Sequence, residues 1–436
     1  MRKFINKISD IFRKSLVRDS IWMMLSQGSS VLIQAAYFII VARVLGSQDY
    51  GTFIGTTALV AAVFPFVGLG SSDIFIKHVA RNPKVFRGYW GTALLTSLLF
   101  VFGLIPLTLI AARVFFPENV SLLLVLLVLL ADLMGLKMWE LASVAFIAVD
   151  RVRLAAQAKI LYSIGKLLAA LVLLVFFKGS NVITWGVLYC IGSILPAIVS
   201  VLHVNRSFGT PIFNLRKYRP EFAEGFFFSI AASAETVNAQ IDKTMLVSLA
   251  SVEVAGIYGA GYRFIDVGYT LIFAVMSATY TRFLRHGATG IRDGIKFAKG
   301  LVPIACGYGI LSAIALLSFA PFVSDLLGAD YAASSNVLRW LAPIHLIAAL
   351  QFIAADTLTG AGLQKMRSSM QVTSAILNFS LNLYLIPRFS WYGAIWATLA
   401  SESFKLVTLW GLVFFFNRKE QTVGALSGID KTLDPE

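Results

Sequence analysis

The chain has 436 residues, 58% of them apolar and only 14% charged, with a formal net charge of +14. A soluble domain needs charge over most of its surface, so this composition excludes one and points to a surface that is itself apolar. The apolar runs do not gather into a single core; they recur along the whole sequence. A run of about twenty apolar residues crosses bilayer hydrocarbon as a helix, because a helix satisfies its own backbone groups there.

Residues 1–19 place Phe4, Ile8, Ile11, Phe12 and Leu16 at helical spacing among Lys and Arg. This pattern fits an amphipathic helix lying on the inner leaflet, with a disordered basic tail as the alternative. No short apolar segment here ends in a small-residue cleavage site, so we expect no signal peptide. Twelve spanning helices are predicted at 20–43, 51–73, 89–112, 120–142, 155–177, 182–204, 224–249, 254–278, 297–320, 335–359, 369–387 and 392–416. The expected fold class is therefore an all-α polytopic membrane protein. Its expected domains are one six-helix bundle over 20–204, a cytoplasmic linker at 205–223, a second bundle over 224–416 and an unstructured polar tail at 417–436.

Lys and Arg are retained on the cytoplasmic side of a membrane, which gives a test of orientation. The N-terminus, residues 74–88, 143–159, 205–223, 279–299 and 360–368, and the C-terminal tail hold 27 of the 37 basic residues. The opposite connections hold Arg43, Arg113, Lys178 and Arg388, all beside helix ends. Both termini are thus expected in the cytoplasm. The positive charge is mostly topology, and a nucleic-acid partner has little left to explain.

Cys190 and Cys306 both fall inside predicted helices, which implies no disulfide framework. His78, His203, His286 and His345 are scattered without metal-ligand spacing. There is no Walker loop and no GxSxG or HExxH motif. Neither enzyme activity nor a cofactor or bound metal is expected.

The chain repeats weakly. Leu45-Gly-Ser-Gln-Asp-Tyr-Gly51 follows the first helix, and Leu249-Ala-Ser-Val-Glu-Val-Ala-Gly-Ile-Tyr-Gly259 follows the seventh. Registering Leu45 on Leu249 sets Gln34 opposite Asn238. Halves separated by six helices share orientation, as in transporters built from parallel repeats.

Ionisable groups at bilayer depth are costly and usually face a cavity or a partner. At about 100° per residue, Glu224, Glu235 and Asp242 lie within about 40° of one another on helix seven, with Asn238 extending the face. Gln27, Ser30, Gln34 and Tyr37 form a stripe on helix one. Gln371, Ser374, Asn378 and Asn382 do so on helix eleven, and Tyr258, Tyr262, Asp266 and Tyr269 on helix eight. Two readings are open: hydrogen bonds that only hold the bundle together, or a wet cavity. Lys137/Glu140, Arg263/Asp266 and Glu402/Lys405 can neutralise each other one turn apart. Asp132, Lys166 and Glu235 near the midplane, and Arg339 in helix ten, have no opposite charge within a turn, while Asp356 lies near the cytoplasmic end where water can reach it. Cations in a cavity suit phosphate or carboxylate, and carboxylates there can exchange protons or a cation.

Ala42-Arg43-Val-Leu-Gly-Ser-Gln-Asp-Tyr-Gly51 resembles the first-helix signature of the polysaccharide-biosynthesis and O-antigen repeat-unit flippases. These belong to the multidrug/oligosaccharidyl-lipid/polysaccharide exporter superfamily. Gly225-Phe226, Ile241-Asp242-Lys243 and Ala255-Gly256-Ile257-Tyr258 are similar to it as well, as are Asn378-Phe-Ser-Leu-Asn382, Leu385-Ile386-Pro387 and Gly393-Ala394. The resemblance implies two six-helix bundles around a central lumen. It also implies alternating access that carries an undecaprenyl-pyrophosphate-linked oligosaccharide from the cytoplasmic to the periplasmic leaflet of an inner membrane. Ion exchange, with H+ or Na+, would supply the energy. Lys166, Arg263, Arg339 and Lys405 are the cations for pyrophosphate or acidic sugars; Gln34, Asn238, Tyr262, Asn378 and Asn382 suit sugar hydroxyls. Glu235, Asp242, Asp132 and Asp266 are the ion-coupling candidates. A polymerase and glycosyltransferases are implied as partners. The competing functions are a cation-coupled multidrug exporter of the same fold, which should show carboxylates and aromatics without unpaired cations, and a non-transporting scaffold for glycan assembly.

Overall fold

The computed structural model describes residues 2–215, 221–288 and 290–430; the side chains of 2–21, 24, 224, 228, 231 and 423–430 lie outside that description. Arg216, Lys217 and Arg219 of the expected basic linker, and Lys431 of the tail, also fall outside it. Among the described residues the chain is helical throughout, with no strand.

The helices are α1 (Arg2–Val63), α2 (Ser71–Arg81), α3 (Phe86–Phe115), α4 (Leu122–Leu129), α5 (Lys137–Ala148), α6 (Val152–Phe176), α7 (Val182–Phe208), α8 (Phe222–Leu249), α9 (Val252–Gly287), α10 (Ile291–Phe319), α11 (Val323–Leu327), α12 (Ser334–Leu341), α13 (Ile344–Gly360), α14 (Gln364–Phe389) and α15 (Trp391–Asp430). All twelve predicted spans find a helix. Two of them share α1, broken only at Gly46, where φ is 70° and ψ 175°. That left-handed, extended conformation suits glycine alone, which explains the glycine after Leu45. Ala329–Leu341, which includes α12, and α13 are apolar enough together to cross a membrane and are bent by 44° at the break between them. On length and apolarity alone, eight helical stretches among the described residues qualify as membrane-crossing, or nine with the bent pair. Leu25–Phe66 is one such stretch and contains both halves of α1, whereas α8 and α14 fall short because of their polar faces. This is a multi-pass membrane protein.

Several predicted ends move, each for a local reason. The helix expected over 51–73 stops at Val63, because Pro65 opens a short 3-10 turn and Gly68, Leu69 and Gly70 take positive φ. Residues expected as a loop then form α2. The N-terminal segment is helical from Arg2 and continues into the first span. α15 runs on to Asp430, past Arg418, where the polar tail was expected to lose structure. Pro343 separates α12 from α13.

The chain divides into two compact units, Met1–Thr236 and Val237–Glu436, with the division inside α8. In the first, α1 packs on α6 and α6 on α7, while Phe75, Trp90, Leu141 and Phe146 centre the core of α2, α3 and α5. Asp49, from the turn motif after Gly46, accepts the Val182 backbone N–H at 2.9 Å and so ties the second half of α1 to the start of α7. The stretch after α7 is also held: Ile212 N–H donates to the Arg87 carbonyl at 2.9 Å, and Thr92 Oγ1 donates to the Asn214 carbonyl at 2.8 Å. A Cβ on Gly91 would lie 2.3 Å from the Ile212 carbonyl oxygen. We therefore expect Gly91→Val to dislodge this strap and lower the melting temperature of the purified protein.

In the second unit α13 is central, packed by α9, α10 and α15, and α14 pairs with α15. Contacts are closest at glycines, as membrane helices without a hydrophobic drive between them require. A Cβ on Gly287 would lie 2.2 Å from the Gly360 carbonyl carbon.

Candidate functional site

Each unit holds its own polar cluster. In the first, α6 and α7 cross where a Cβ on Gly165 would sit 2.5 Å from the Gly192 carbonyl oxygen. This contact brings Lys166, the next residue on α6, against Tyr189, one turn before Gly192. Lys166 Nζ donates to the Tyr189 hydroxyl at 2.9 Å, and that hydroxyl donates to Asp132 Oδ1 at 2.8 Å. Asp132 sits in a π-helical stretch, Leu130–Leu136, between α4 and α5. The Lys166 ammonium also lies 5.0 Å above the Tyr162 ring and 4.4 Å from that of Tyr189. Two midplane charges with no opposite charge within one turn of their own helices are thus joined across three segments. Tyr189 was missed in the sequence; the available signal was its depth on helix six, similar to that of both charges.

Two further groups complete this unit. Lys137 Nζ lies 3.2 Å from Glu140 Oε1, and Ser72 from α2 donates to the same oxygen at 2.8 Å. Gln34 is exposed, donating to Ser30 Oγ at 3.0 Å, and Ser30 meets Ser163 of α6 at 2.7 Å. Glu235 is exposed, and the side chain of Glu224 lies outside the description. The face drawn through Glu224, Glu235, Asn238 and Asp242 is therefore not uniform, since the last two are buried.

In the second unit Glu402 of α15 gathers three donors. Lys405 Nζ reaches its Oε1 at 2.8 Å, Asn238 Nδ2 from α8 reaches the same oxygen at 2.6 Å, and Gln351 Nε2 from α13 takes Oε2. Asn378 donates to Ser401 Oγ at 3.0 Å and Asn382 to Asn378 Oδ1 at 2.9 Å, all inside the α14–α15 contact. Asn378 and Asn382 are fully buried in that packing. The Tyr258 hydroxyl donates to Asp242, and the ammonium of Lys243 stands 4.1 Å over the Tyr262 ring. Arg263 and Asp266 are half-buried and 3.8 Å apart. Arg339 is exposed, with Asn336 Oδ1 at 3.4 Å. Asp356 is not solvated as expected: it is buried, and Arg367 of α14 meets it at 3.1 Å. Of the proposed residues, then, Lys166 and Asp132 are joined through Tyr189 in one unit; in the other, Asn238 and Lys405 meet at Glu402, Asn382 bonds Asn378, and Arg263 pairs with Asp266.

A model described as polysaccharide biosynthesis protein matches residues 16–285, more than half of the chain. No curated protein sequence matches the chain. Among solved structures, an inward-facing multidrug resistance MATE family transporter of the MOP superfamily superimposes with a TM-score of 0.72 at 15% identity, over 93% of this chain and 99% of that one. The lipid II flippase MurJ, in an inward closed conformation, gives 0.71 at 14% identity over 96% and 94%. A MOP superfamily transporter from Pyrococcus furiosus gives 0.62 at 15% identity over 93% and 97%. At such identity these likenesses establish the fold and nothing beyond it. With the family match spanning more than half of its length, the chain belongs to the polysaccharide biosynthesis protein family.

Proposed function

We propose that this protein is a flippase, and not an enzyme, that carries an undecaprenyl-pyrophosphate-linked oligosaccharide repeat unit, of the O-antigen type, across an inner membrane. Transfer runs from the cytoplasmic to the periplasmic leaflet by alternating access driven by a proton or sodium gradient, with both termini in the cytoplasm. The observation that carries this reading is Lys166, a cation held in the middle of an apolar helix by two tyrosines. An ionisable side chain at such depth marks a functional site by default. The family match and the likeness in fold to a lipid II flippase support lipid-linked cargo. Lys166 and Arg263 take phosphate or acidic sugar, with Lys405 and Arg339 as further cations; Gln34, Asn238, Tyr262, Asn378 and Asn382 are the residues for sugar hydroxyls. Asp242, Glu235, Asp266 and Asp132 couple to the ion. A polymerase and glycosyltransferases consume and supply the cargo.

Multidrug export is the second reading, favoured by the buried carboxylates Asp132, Asp242 and Glu402. Each of them already accepts a hydrogen bond from its own unit, which leaves less for a cationic drug. Lys166→Ala and Arg263→Ala are each expected to abolish surface glycan in a host lacking its own flippase, at unchanged protein level. Normal glycan from both variants would overturn the reading, and transport into liposomes without any ion gradient would remove the coupling.

A further inference from the structure

The second unit contains a cavity that neither polar cluster uses. It measures about 330 Å³ and lies between α9, α10 and α13, lined by Leu271, Val275, Ile304, Ala305, Ala349 and Ile353. Tyr308 lines it as well, but its hydroxyl is committed to the Gly268 carbonyl at 2.7 Å, so the wall is almost wholly carbon. At about 100° per residue, Leu271 and Val275 stand some 120–180° from Tyr262, Asp266 and Tyr269 on α9. The cavity therefore opens on the side of α9 away from its polar stripe, and Leu271, Val275 and Ile304 are exposed there. Both α9 and α10 are long and apolar enough to cross a membrane, so this face meets bilayer hydrocarbon. A void left empty forfeits van der Waals contacts with its lining, and a lipid chain is the filler the bilayer supplies. On α10, Gly300 and Gly307 flank Ile304, within about 60° of it. A Cβ on either would meet nothing within 4 Å, so packing inside the chain does not call for them. They lower the outer rim of the cavity.

The same face of α9 leads to a cation. Leu271, Val275, Ala278 and Arg282 lie within about 60° of one another, and Arg282 stands about 10 Å beyond Val275 along the helix axis. The small Ala278 keeps the path between them open. Arg282 is exposed, as is Arg285 at the next turn. His286 stacks on Phe297 of α10 at 5.0 Å and closes the seam between the two helices at that end. We propose that the cavity holds one acyl chain of a resident anionic phospholipid whose phosphate sits on Arg282. A guanidinium suits phosphate, and the distance from Arg282 to the cavity lets one molecule reach both. The cargo lipid fits less well, because its headgroup has to cross, whereas a chain seated here keeps its headgroup at the Arg282 end. The bound lipid fills the gap between α9, α10 and α13, so the anionic lipid around the protein stabilises this unit.

The test uses the full-length protein in mild detergent and two probes with identical chains, dioleoylphosphatidylglycerol and dioleoylphosphatidylcholine. Native mass spectrometry counts the lipid retained. Wild type is expected to hold phosphatidylglycerol more tightly than phosphatidylcholine, and its melting temperature should rise as phosphatidylglycerol is added. Arg282→Gln should weaken phosphatidylglycerol about fivefold, the increment of a single basic side chain at an anionic headgroup, and leave phosphatidylcholine unchanged. Val275→Trp changes an exposed position, lays an indole over the cavity and should lose both lipids. Lys299→Gln removes the same charge from a side of α10 turned about 140° from Ile304, and should change neither. Equal affinity of wild type for the two lipids overturns the site. So do equal losses in Arg282→Gln and Lys299→Gln, or full phosphatidylglycerol binding by Val275→Trp. Displacement of bound phosphatidylglycerol by equimolar undecaprenyl phosphate would assign the cavity to the cargo and overturn the resident lipid. Because the first comparison is made on wild type, a variant that fails to fold does not shield the proposal.

Discussion

Glu402→Ala is expected to destabilise the protein by about 3–5 kcal/mol, the usual result of removing one partner from a buried ion pair. Its carboxylate is almost wholly buried and receives Lys405, Asn238 and Gln351 from three helices. Alanine leaves the ammonium of Lys405 buried without its counter-charge and two amide donors without acceptors. The purified variant should melt at a much lower temperature, and its yield should fall. Glu402→Gln keeps the shape and one acceptor oxygen, so its loss should be smaller. The sharper comparison is the double variant Glu402→Ala with Lys405→Met, which removes both charges together. If the damage comes from the stranded cation, the double variant should be more stable than Glu402→Ala alone. Equal melting temperatures for the two would show that the ion pair is not the source. A double-mutant cycle of this kind isolates the pair from its neighbours.

How much of this cluster was legible depends on how far apart its members are in sequence. Glu402/Lys405, Arg263/Asp266 and Lys137/Glu140 all pair as the one-turn spacing predicts, because a helix alone brings those side chains together. Asn238 and Gln351 reach Glu402 from other helices, and Tyr189 bridges Lys166 and Asp132 in the same way. Those contacts depend on which helices are neighbours and how each is rotated, and hydropathy contains neither quantity. Asp356 was misjudged for this reason: its partner Arg367 lies beyond the turn that ends α13. Helix ends show the complementary limit. Hydropathy runs smoothly through 51–73, so Pro65 and the glycines after it were the only signs that α1 stops at Val63. The polar stripe on helix eleven was visible at once, yet its position between α14 and α15, with Asn378 and Asn382 bonded to each other, required coordinates.

Gly268→Leu should cost at least as much as the Glu402 change, because it meets a side chain that cannot retreat. A Cβ at Gly268 would lie 2.2 Å from Cε1 of His345, whose ring is fully buried. That ring is pinned at both nitrogens: Nδ1 lies 2.6 Å from Ser312 Oγ of α10, and Nε2 lies 2.8 Å from the Ile265 carbonyl of α9. The Tyr308 hydroxyl donates to the Gly268 carbonyl at 2.7 Å, which fixes the backbone from the other side. Overpacking a tight core typically costs about 1–3 kcal/mol, and here the added bulk also breaks hydrogen bonds on the imidazole. His345 follows Pro343, at the bend between α12 and α13, so a displaced ring disturbs the whole broken span. The expected result is a variant that folds poorly, with little monodisperse material by size-exclusion chromatography. Gly268→Ala with His345→Ala exchanges a large ring for a methyl group at the same contact and should recover much of the folded yield. If Gly268→Ala alone melts as wild type does, α9 and α13 have room to separate, and the imidazole is not the wedge that sets their spacing.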